Sequence, residues 1–335
     1  MRGLMLLGLV LCASSAAAGA RPPIIDMHLH ARRLTFDGTG APALCAPPAT
    51  MPRWDNRRPL ADGLSPDPPC AMPLAPGRTA DEVMRGTLAV MERRNIIAMV
   101  SGEPESIARW RAAAPARVIA GIDLRIRPGG RLPARAPEEL RRLHRAGSFT
   151  IMGEVMAQYE GIAPADPALE PYWALAEELD IPVGIHLGPG SPGTAYEGSR
   201  LYRARASSAL GMEAVLVRHP RLRVYIMHAG YPLIDDLLAL LYAHPQVYVD
   251  ISAIVGTEPR GAFYRYLQRI VEAGFGDRIM FGTDQGLWPG LIEVSIRSIE
   301  DAPFLSEAQK RDIFYNNAAR FLRLGPAEIA RHHAM

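Results

Sequence analysis

The run Ile24-Ile25-Asp26-Met27-His28-Leu29-His30 sets two imidazoles two residues apart at the end of an apolar stretch. In an extended strand residues i and i+2 share a face. His28 and His30 therefore project together, with Met27 and Leu29 expected on the opposite face. Two neutral imidazoles side by side suit a divalent transition metal such as zinc. Taken alone, the pair is equally what a structural or solvent-facing pair of histidines looks like.

Four other polar residues answer it. Glu154 follows Ile151-Met152-Gly153, His186 closes Val183-Gly184-Ile185, His228 closes Tyr225-Ile226-Met227, and Asp284 follows Met280-Phe281-Gly282-Thr283. Each has an ordinary reading: a strand-end histidine that packs, an aspartate that caps a turn, a glutamate that pairs with arginine. Jointly, all at strand ends, they predict a metal site of His28, His30, Glu154, His186, His228 and Asp284. His144 falls within a predicted helix, and His219 and His244 each precede a proline at a helix end. These three are assigned structural roles.

The elements that must position such a site alternate along the chain. Strands are predicted near 24–30, 96–102, 117–124, 149–155, 182–188, 223–230, 247–252 and 278–285. Helices are predicted between them, near 79–94, 104–114, 137–147, 168–180, 199–219, 232–244 and 261–274, with two more after the last strand. Eight short apolar strands with intervening helices predict a single-domain α/β fold, a TIM-type (β/α)8 barrel, whose chemistry gathers at the C-terminal strand ends. A doubly wound sheet is the competitor. It would carry a glycine-rich phosphate turn after its first strand, where this chain has His-Leu-His.

The segment 31–78 breaks the rhythm. It is rich in Pro, Gly and Ala, contains Trp54, Arg53, Arg57 and Arg58, and is far longer than an ordinary βα loop. It is expected to rim the active face as a lid or to be a plain surface insertion. Cys45 and Cys70 both lie in it, and a disulfide between them is expected to pin it. The tail from Gly325 to Met335 is expected to be exposed and frayed.

Residues 1–20 have an early arginine, an apolar core from Leu4 to Leu11 and a small-residue finish, and read as a secretory signal peptide. The mature protein, 21–335, is then expected to be exported, periplasmic or secreted. Leu11 before Cys12 argues against lipoprotein-type cleavage. A net charge of +2, with 21% charged residues, gives no reason to expect nucleic acid or an anionic membrane as a partner. A small-molecule substrate is expected, with a homodimer the one assembly considered.

His-x-His on the first strand, His on the fifth, His on the sixth and Asp on the eighth resemble the amidohydrolase superfamily of metal-dependent barrels. Gly184-Ile185-His186-Leu187-Gly188, His228-Ala229-Gly230 and Phe281-Gly282-Thr283-Asp284 look most like its amidohydrolase-related branch, over almost the whole mature chain. That branch includes hydrolases of amides, esters and lactones, nonoxidative decarboxylases and hydratases. The resemblance implies that His28, His30 and Asp284 bind a first metal, with His186 a further ligand and His228 a ligand or catalytic polariser. Many binuclear members bridge their ions with a carboxylated lysine on the fourth strand, but the only lysine here is Lys310. Glu154 stands in that strand instead, as in TatD-like hydrolases, and with His186 and His228 could hold a second ion.

The leading expectation is hydrolysis by a metal-activated water, with zinc as the ion, or manganese, iron or cobalt, in one or two copies. Asp284 would act as base and His228 would stabilise the developing oxyanion. The second reading is a decarboxylase or hydratase in which a rim arginine, Arg53, Arg57 or Arg127, holds a substrate carboxylate. The third is a non-catalytic metal-binding protein.

Overall fold

The computed structural model describes residues 21–32, 41–60, 64–65, 69–127 and 130–335. The expected signal peptide lies outside them. Eight parallel strands follow one another in sequence order: β1 (Ile24–Ala31), β2 (Ile96–Gly102), β3 (Val118–Leu124), β4 (Ile151–Val155), β5 (Val183–His186), β6 (Val224–Met227), β7 (Tyr248–Asp250) and β8 (Ile279–Met280). The ring closes between its ends. Met27 N–H donates to the Phe281 carbonyl at 2.9 Å, Asp284 N–H to that of His28 at 2.8 Å and His30 N–H to that of Gln285 at 2.9 Å. This is the expected (β/α)8 barrel, with each strand where the apolar pattern placed it.

Helices cover the outside: α1 (Ala80–Arg93), α2 (Pro104–Ala113), α3 (Pro137–Arg145), α4 (Glu170–Glu178), α5 (Glu213–Arg218), α6 (Ile234–Ala243), α7 (Arg260–Ile270) and α8 (Gly290–Glu300). Local chemistry starts them. The Thr79 hydroxyl accepts from Glu82 N–H ahead of α1, and proline occupies the first turn of α2 and α3, where its missing N–H costs nothing. Among the described residues no helix is long and apolar enough to cross a membrane.

The expected helix over 199–219 is mostly absent. Only α5 is α-helical, preceded by two short 3₁₀ turns, Ala204–Ser207 and Ala209–Met212. Side-chain bonds take this chain segment elsewhere: Ser207 Oγ donates to the Gly188 carbonyl at 2.8 Å, and the Tyr202 hydroxyl donates to the same oxygen at 3.1 Å. Such side-chain competition pulls backbone out of helix.

Alternate strand residues divide between two cores. Ile25, Met27, Met99, Ile151, Tyr225, Met227 and Met280 form the smaller, with Tyr315, Ala318 and Phe321 from the C-terminal region. Leu29, Val100, Ile185 and Ile226 join the larger, under the helices. Met27 and Leu29 therefore do not share a face, contrary to expectation. The β1–β2 register shifts between Asp26 and Leu29, and this irregularity lets Met27 fill the barrel interior while His28 and His30 are aimed at the site.

The C-terminal region seals the barrel floor. After α9 (Glu307–Arg311) a wider turn, Asp312–Asn316, leads into Asn317–Phe321. The tail is ordered rather than frayed: Pro326–His333 forms α10, with His332 buried. Its Nδ1 lies 3.1 Å from the Tyr315 hydroxyl, and its carbonyl accepts from Asn95 Nδ2 at 3.1 Å. A pattern too short to read as amphipathic is held by tertiary contacts.

Cys45 and Cys70 form the expected disulfide, with Cα atoms 5.7 Å apart. Arg53–Trp54 pairs antiparallel with Leu64–Ser65 inside the loop that it closes.

Candidate metal centre

All six expected side chains meet at the C-terminal end of the barrel. His28 Nε2 and His30 Nε2 are 3.2 Å apart, and Asp284 Oδ1 lies 3.7 and 3.1 Å from them. Glu154 stands between two pairs of histidines. Its Oε2 is 3.8 Å from His28 Nε2 and 3.5 Å from His30 Nε2, whereas its Oε1 is 2.5 Å from His186 Nδ1 and 3.5 Å from His228 Nε2. The Asp284 side chain is 24% exposed and the other five are almost fully buried. Asp284 is the group nearest the cavity mouth.

The local backbone serves this convergence. His228 and Asp284 adopt positive φ, 59° and 57°, a region costly for residues with a Cβ and found where surrounding structure enforces it. Pairing register also shifts beside Asp123 and beside Glu154, so strands carrying site residues bend where those residues project.

Hydrogen bonds orient the rings. His228 Nδ1 is 3.0 Å from the Ser252 carbonyl; a carbonyl only accepts, so the hydrogen is on Nδ1 and Nε2 keeps its lone pair. His28 Nδ1 faces Ser252 Oγ at 2.8 Å and Asp250 Oδ2 at 3.3 Å, and His30 Nδ1 faces Ser101 Oγ at 3.0 Å. Asp26 accepts from His28 N–H at 3.0 Å and from the Thr283 hydroxyl at 2.7 Å, tying β1 to the segment that carries Asp284.

Burial works against every charge in this cluster, and neighbouring charges decide the outcome. Against burial, His28, His30 and His228 hold the Asp284 carboxyl far below the usual range, and His186 does the same for Glu154. His28 is raised well above an ordinary imidazole by Asp284 and Asp250, again against burial. For His186 burial prevails over Glu154 and its pKa is lowered. Burial pushes Asp26 up to about 7 despite its bond from Thr283.

The donor set fits a divalent cation. Asp284 Oδ1 is buried and makes no hydrogen bond, yet imidazole nitrogens crowd it; a shared cation satisfies such lone pairs where protons cannot. Two groups of three potential ligand atoms each gather within 4.8 Å: His28, His30 and Asp284, and His28, Glu154 and His228.

Further aromatic and charged side chains divide by place. The Tyr159 ring lies 4.5 Å from that of His186. The exposed Trp54 and Tyr196 rings meet at a tilt with centroids 5.2 Å apart, and Trp288 Nε1 donates to the Pro42 carbonyl at 2.9 Å. Tyr231 donates to Glu258 at 3.0 Å and packs on Tyr266. Arg57 is engaged by Asp55 at 2.7 Å. His219 lies between Glu170 and Glu177, and His144 Nδ1 donates to the Phe149 carbonyl at 3.2 Å, so both have the structural roles expected. Sequence reasoning missed Asp250, Ser252, Ser101, Asp123 and Arg32. The alternation Tyr248-Val249-Asp250-Ile251-Ser252 was the available signal for the first two, both fully buried. Arg32 lies against Gly286, two residues from Asp284, with Nε 2.6 Å from where a Cβ there would stand.

A parallel barrel with ligand-type side chains collected from β1, β4, β5, β6 and the end of β8 is the architecture of a barrel enzyme. The chain belongs to the amidohydrolase family, whose model matches residues 25–324. No curated protein matches it. Among solved structures, a probable 2-pyrone-4,6-dicarboxylic acid hydrolase from Acinetobacter baumannii shares 14% identity, covering 90% of this chain and 99% of that one, with TM-score 0.56. A 4-oxalomesaconate hydratase from Rhodopseudomonas palustris shares 18%, covering 92% and 98%, with TM-score 0.56. A dihydroxybenzoic acid decarboxylase from Polaromonas, solved with bound manganese, shares 18%, covering 72% and 86%, with TM-score 0.50. At these identities the likeness establishes the shared barrel.

Proposed function

We propose that this protein is a metal-dependent hydrolase of small molecules, cleaving an amide, ester or lactone bond. The observation that carries the reading is Glu154, which turns one oxygen to His28 and His30 and the other to His186 and His228. One carboxylate facing two sets of imidazoles suits a pair of ions, with zinc the first candidate and manganese, iron and cobalt compatible with the same donors. His28, His30 and Asp284 would hold one ion, and Glu154, His228 and His186 the other. Such ions supply Lewis acidity, activating a water and polarising a carbonyl.

The side chains do the rest. Asp284, nearest the mouth and with Oδ1 unpaired, takes the proton of the attacking water and delivers it to the leaving group. His228 brings only Nε2 to the cavity: neutral, it is a ligand, and protonated, it donates to the substrate oxygen as negative charge develops. Tyr159, lying on His186, bounds the substrate space.

One observation favours a second reading within the family. Arg32 lies against Gly286, two residues along the chain from Asp284, a cation suited to a substrate carboxylate, as a nonoxidative decarboxylase or hydratase would need.

The test is metal content per chain in protein purified without chelators, for the wild type and Glu154→Gln, with a panel of esters, lactones and amides. Two ions falling to one or none in the variant, with turnover on the panel, support the hydrolase. One ion untouched by the substitution, with carbon dioxide released from an aromatic acid, overturns it.

A further inference from the structure

We infer that Ser252 is a positioning residue that holds His28 and His228 together with their Nε2 lone pairs turned to the cavity, one hydroxyl serving two candidate ligands. The inference rests on the metal-dependent reading above, and it gives β7, which contributes no ligand, its part in the site.

The proton count leads to it. Ser252 Oγ is 2.5 Å from Asp250 Oδ1, an oxygen that also accepts the N–H groups of Ser252 at 3.0 Å and His228 at 2.9 Å. A hydroxyl has one hydrogen, and here the carboxylate takes it. Toward His28 Nδ1 at 2.8 Å and His228 Nδ1 at 3.1 Å the same oxygen can only accept. Both rings must then carry their hydrogen on Nδ1. The Ser252 carbonyl repeats the instruction to His228 at 3.0 Å, and the charge of Asp250 Oδ2, 3.3 Å from His28 Nδ1 but not hydrogen-bonded to it, favours a hydrogen there. The consequence is on the far side of each ring, where Nε2 is left free to bind a cation.

The arrangement needs a gap. Ser252 follows β7 and His28 is on β1, so the contact must pass the β8 end that lies between them in the sheet. Gly282 is there. A Cβ at that position would stand 3.1 Å from Ser252 Cβ, 3.2 Å from His28 Cβ and 3.5 Å from the Asp250 carboxyl carbon. A side chain there would crowd both, so the glycine leaves the serine and the imidazole room to meet. Among the described residues the other two histidines lack this sharing: His30 is backed by Ser101 and His186 by Glu154 at hydrogen-bonding distance.

The experiment has two readouts independent of turnover. In metal-free protein labelled with ¹⁵N histidine, at a pH high enough that both rings are neutral, long-range ¹H–¹⁵N spectra report ring tautomers, with His28 and His228 assigned through single His→Asn variants. Both rings should be Nδ1–H. Zinc affinity, measured by competition with a chelating dye, should fall about 10- to 100-fold in Ser252→Ala, and Gly282→Ala should weaken it in the same direction by spreading the contact. Ser298→Ala removes another buried hydroxyl, one bonded to the Val255 and Val294 carbonyls away from the site, and should leave zinc affinity unchanged. An Nε2–H tautomer at either ring in the wild type, or wild-type zinc affinity in Ser252→Ala, overturns the inference. Should tautomers and affinities behave as stated while no ester, lactone or amide is cleaved, the hydrolase reading fails and the positioning role stands. Should hydrolysis be found with zinc binding indifferent to Ser252, the reverse holds.

Discussion

Glu154 divides its carboxylate between two neighbours: Oε1 lies 2.5 Å from His186 Nδ1, and Oε2 lies 3.5 Å from His30 Nε2. The two histidines therefore report on different halves of one site. Zinc titration of chelator-stripped protein should show two binding events. His30→Ala should remove one, His186→Ala the other, and Glu154→Gln should weaken both. A single event, lost alike in all three variants, would show that the halves do not act separately.

Asp284 is both a metal-facing group and the site's most accessible carboxylate. Asn keeps its shape and one oxygen but cannot take a proton. Asp284→Asn should lower kcat on the order of 10²- to 10⁴-fold while metal analysis still finds ion in the protein. Undiminished turnover would remove Asp284 from the role of base.

The insertion after β1 reaches loops at the mouth. The Trp54 ring packs at a tilt on Tyr196, 5.2 Å between centroids, Leu60 lies 2.7 Å from where a Cβ at Gly193 would stand, and Trp288 is bonded to Pro42. The Cys45–Cys70 link restrains the loop that carries Trp54 and Leu60. A cross-link closing a loop of this size is worth about 3 kcal/mol by loop entropy, acting on the insertion rather than on the barrel. Reduction, or Cys45→Ser with Cys70→Ser, should speed protease cleavage within 41–78 and raise KM several-fold. The melting temperature of the barrel should move little. Unchanged KM would make the insertion a bystander.

The same contrast between local and tertiary information explains what the sequence disclosed. His28, Glu154, His186, His228 and Asp284 are each a polar residue ending an apolar strand, a local signal, and the barrel's end collects them. Ser252 and Asp250 carried the same kind of signal more faintly, at the end of a three-residue strand. Their partner is decided by a glycine at the end of β8, the last strand, whereas His28 is on the first, and no local pattern encodes that pairing. The face of Met27 was misread because alternation presumes unbroken pleating, and β1 shifts register just before the histidines. Ser199 to Met212 was misread because helical spacing is silent on Tyr202 and Ser207, whose hydroxyls bond Gly188.

The tail offers a stability test of that kind. α10 lays His332 against Tyr315 and Ile329 against the interior core, so ending the chain at Leu324 strips cover from the barrel floor and leaves Asn95 Nδ2 without one of its two carbonyl acceptors. Losing the burial of Ile329 and His332 should cost about 3 kcal/mol, read as a lower urea midpoint with metal content unchanged. A truncated protein as stable as the full chain would return the tail to the frayed state expected from sequence.

His219 links α4 to the end of α5, with Nε2 2.8 Å from Glu170 and Nδ1 3.2 Å from Glu177. One ring thus ties two carboxylates of α4 to the end of α5. Burial works against Glu170, yet Arg218 and His219 hold its pKa below 4.5; for Glu177 the Arg221 backbone N–H, then His219, does so. A carboxylate with a depressed folded pKa contributes stability above its unfolded value and loses it as pH falls through the folded one. Glu170→Gln with Glu177→Gln should therefore be less stable than the wild type at pH 7, and the gap should close as the pH drops below 4.5. Urea unfolding at a series of pH values measures it. A gap that is constant with pH would mean that the two glutamates stabilise the helices by packing and not by their charge.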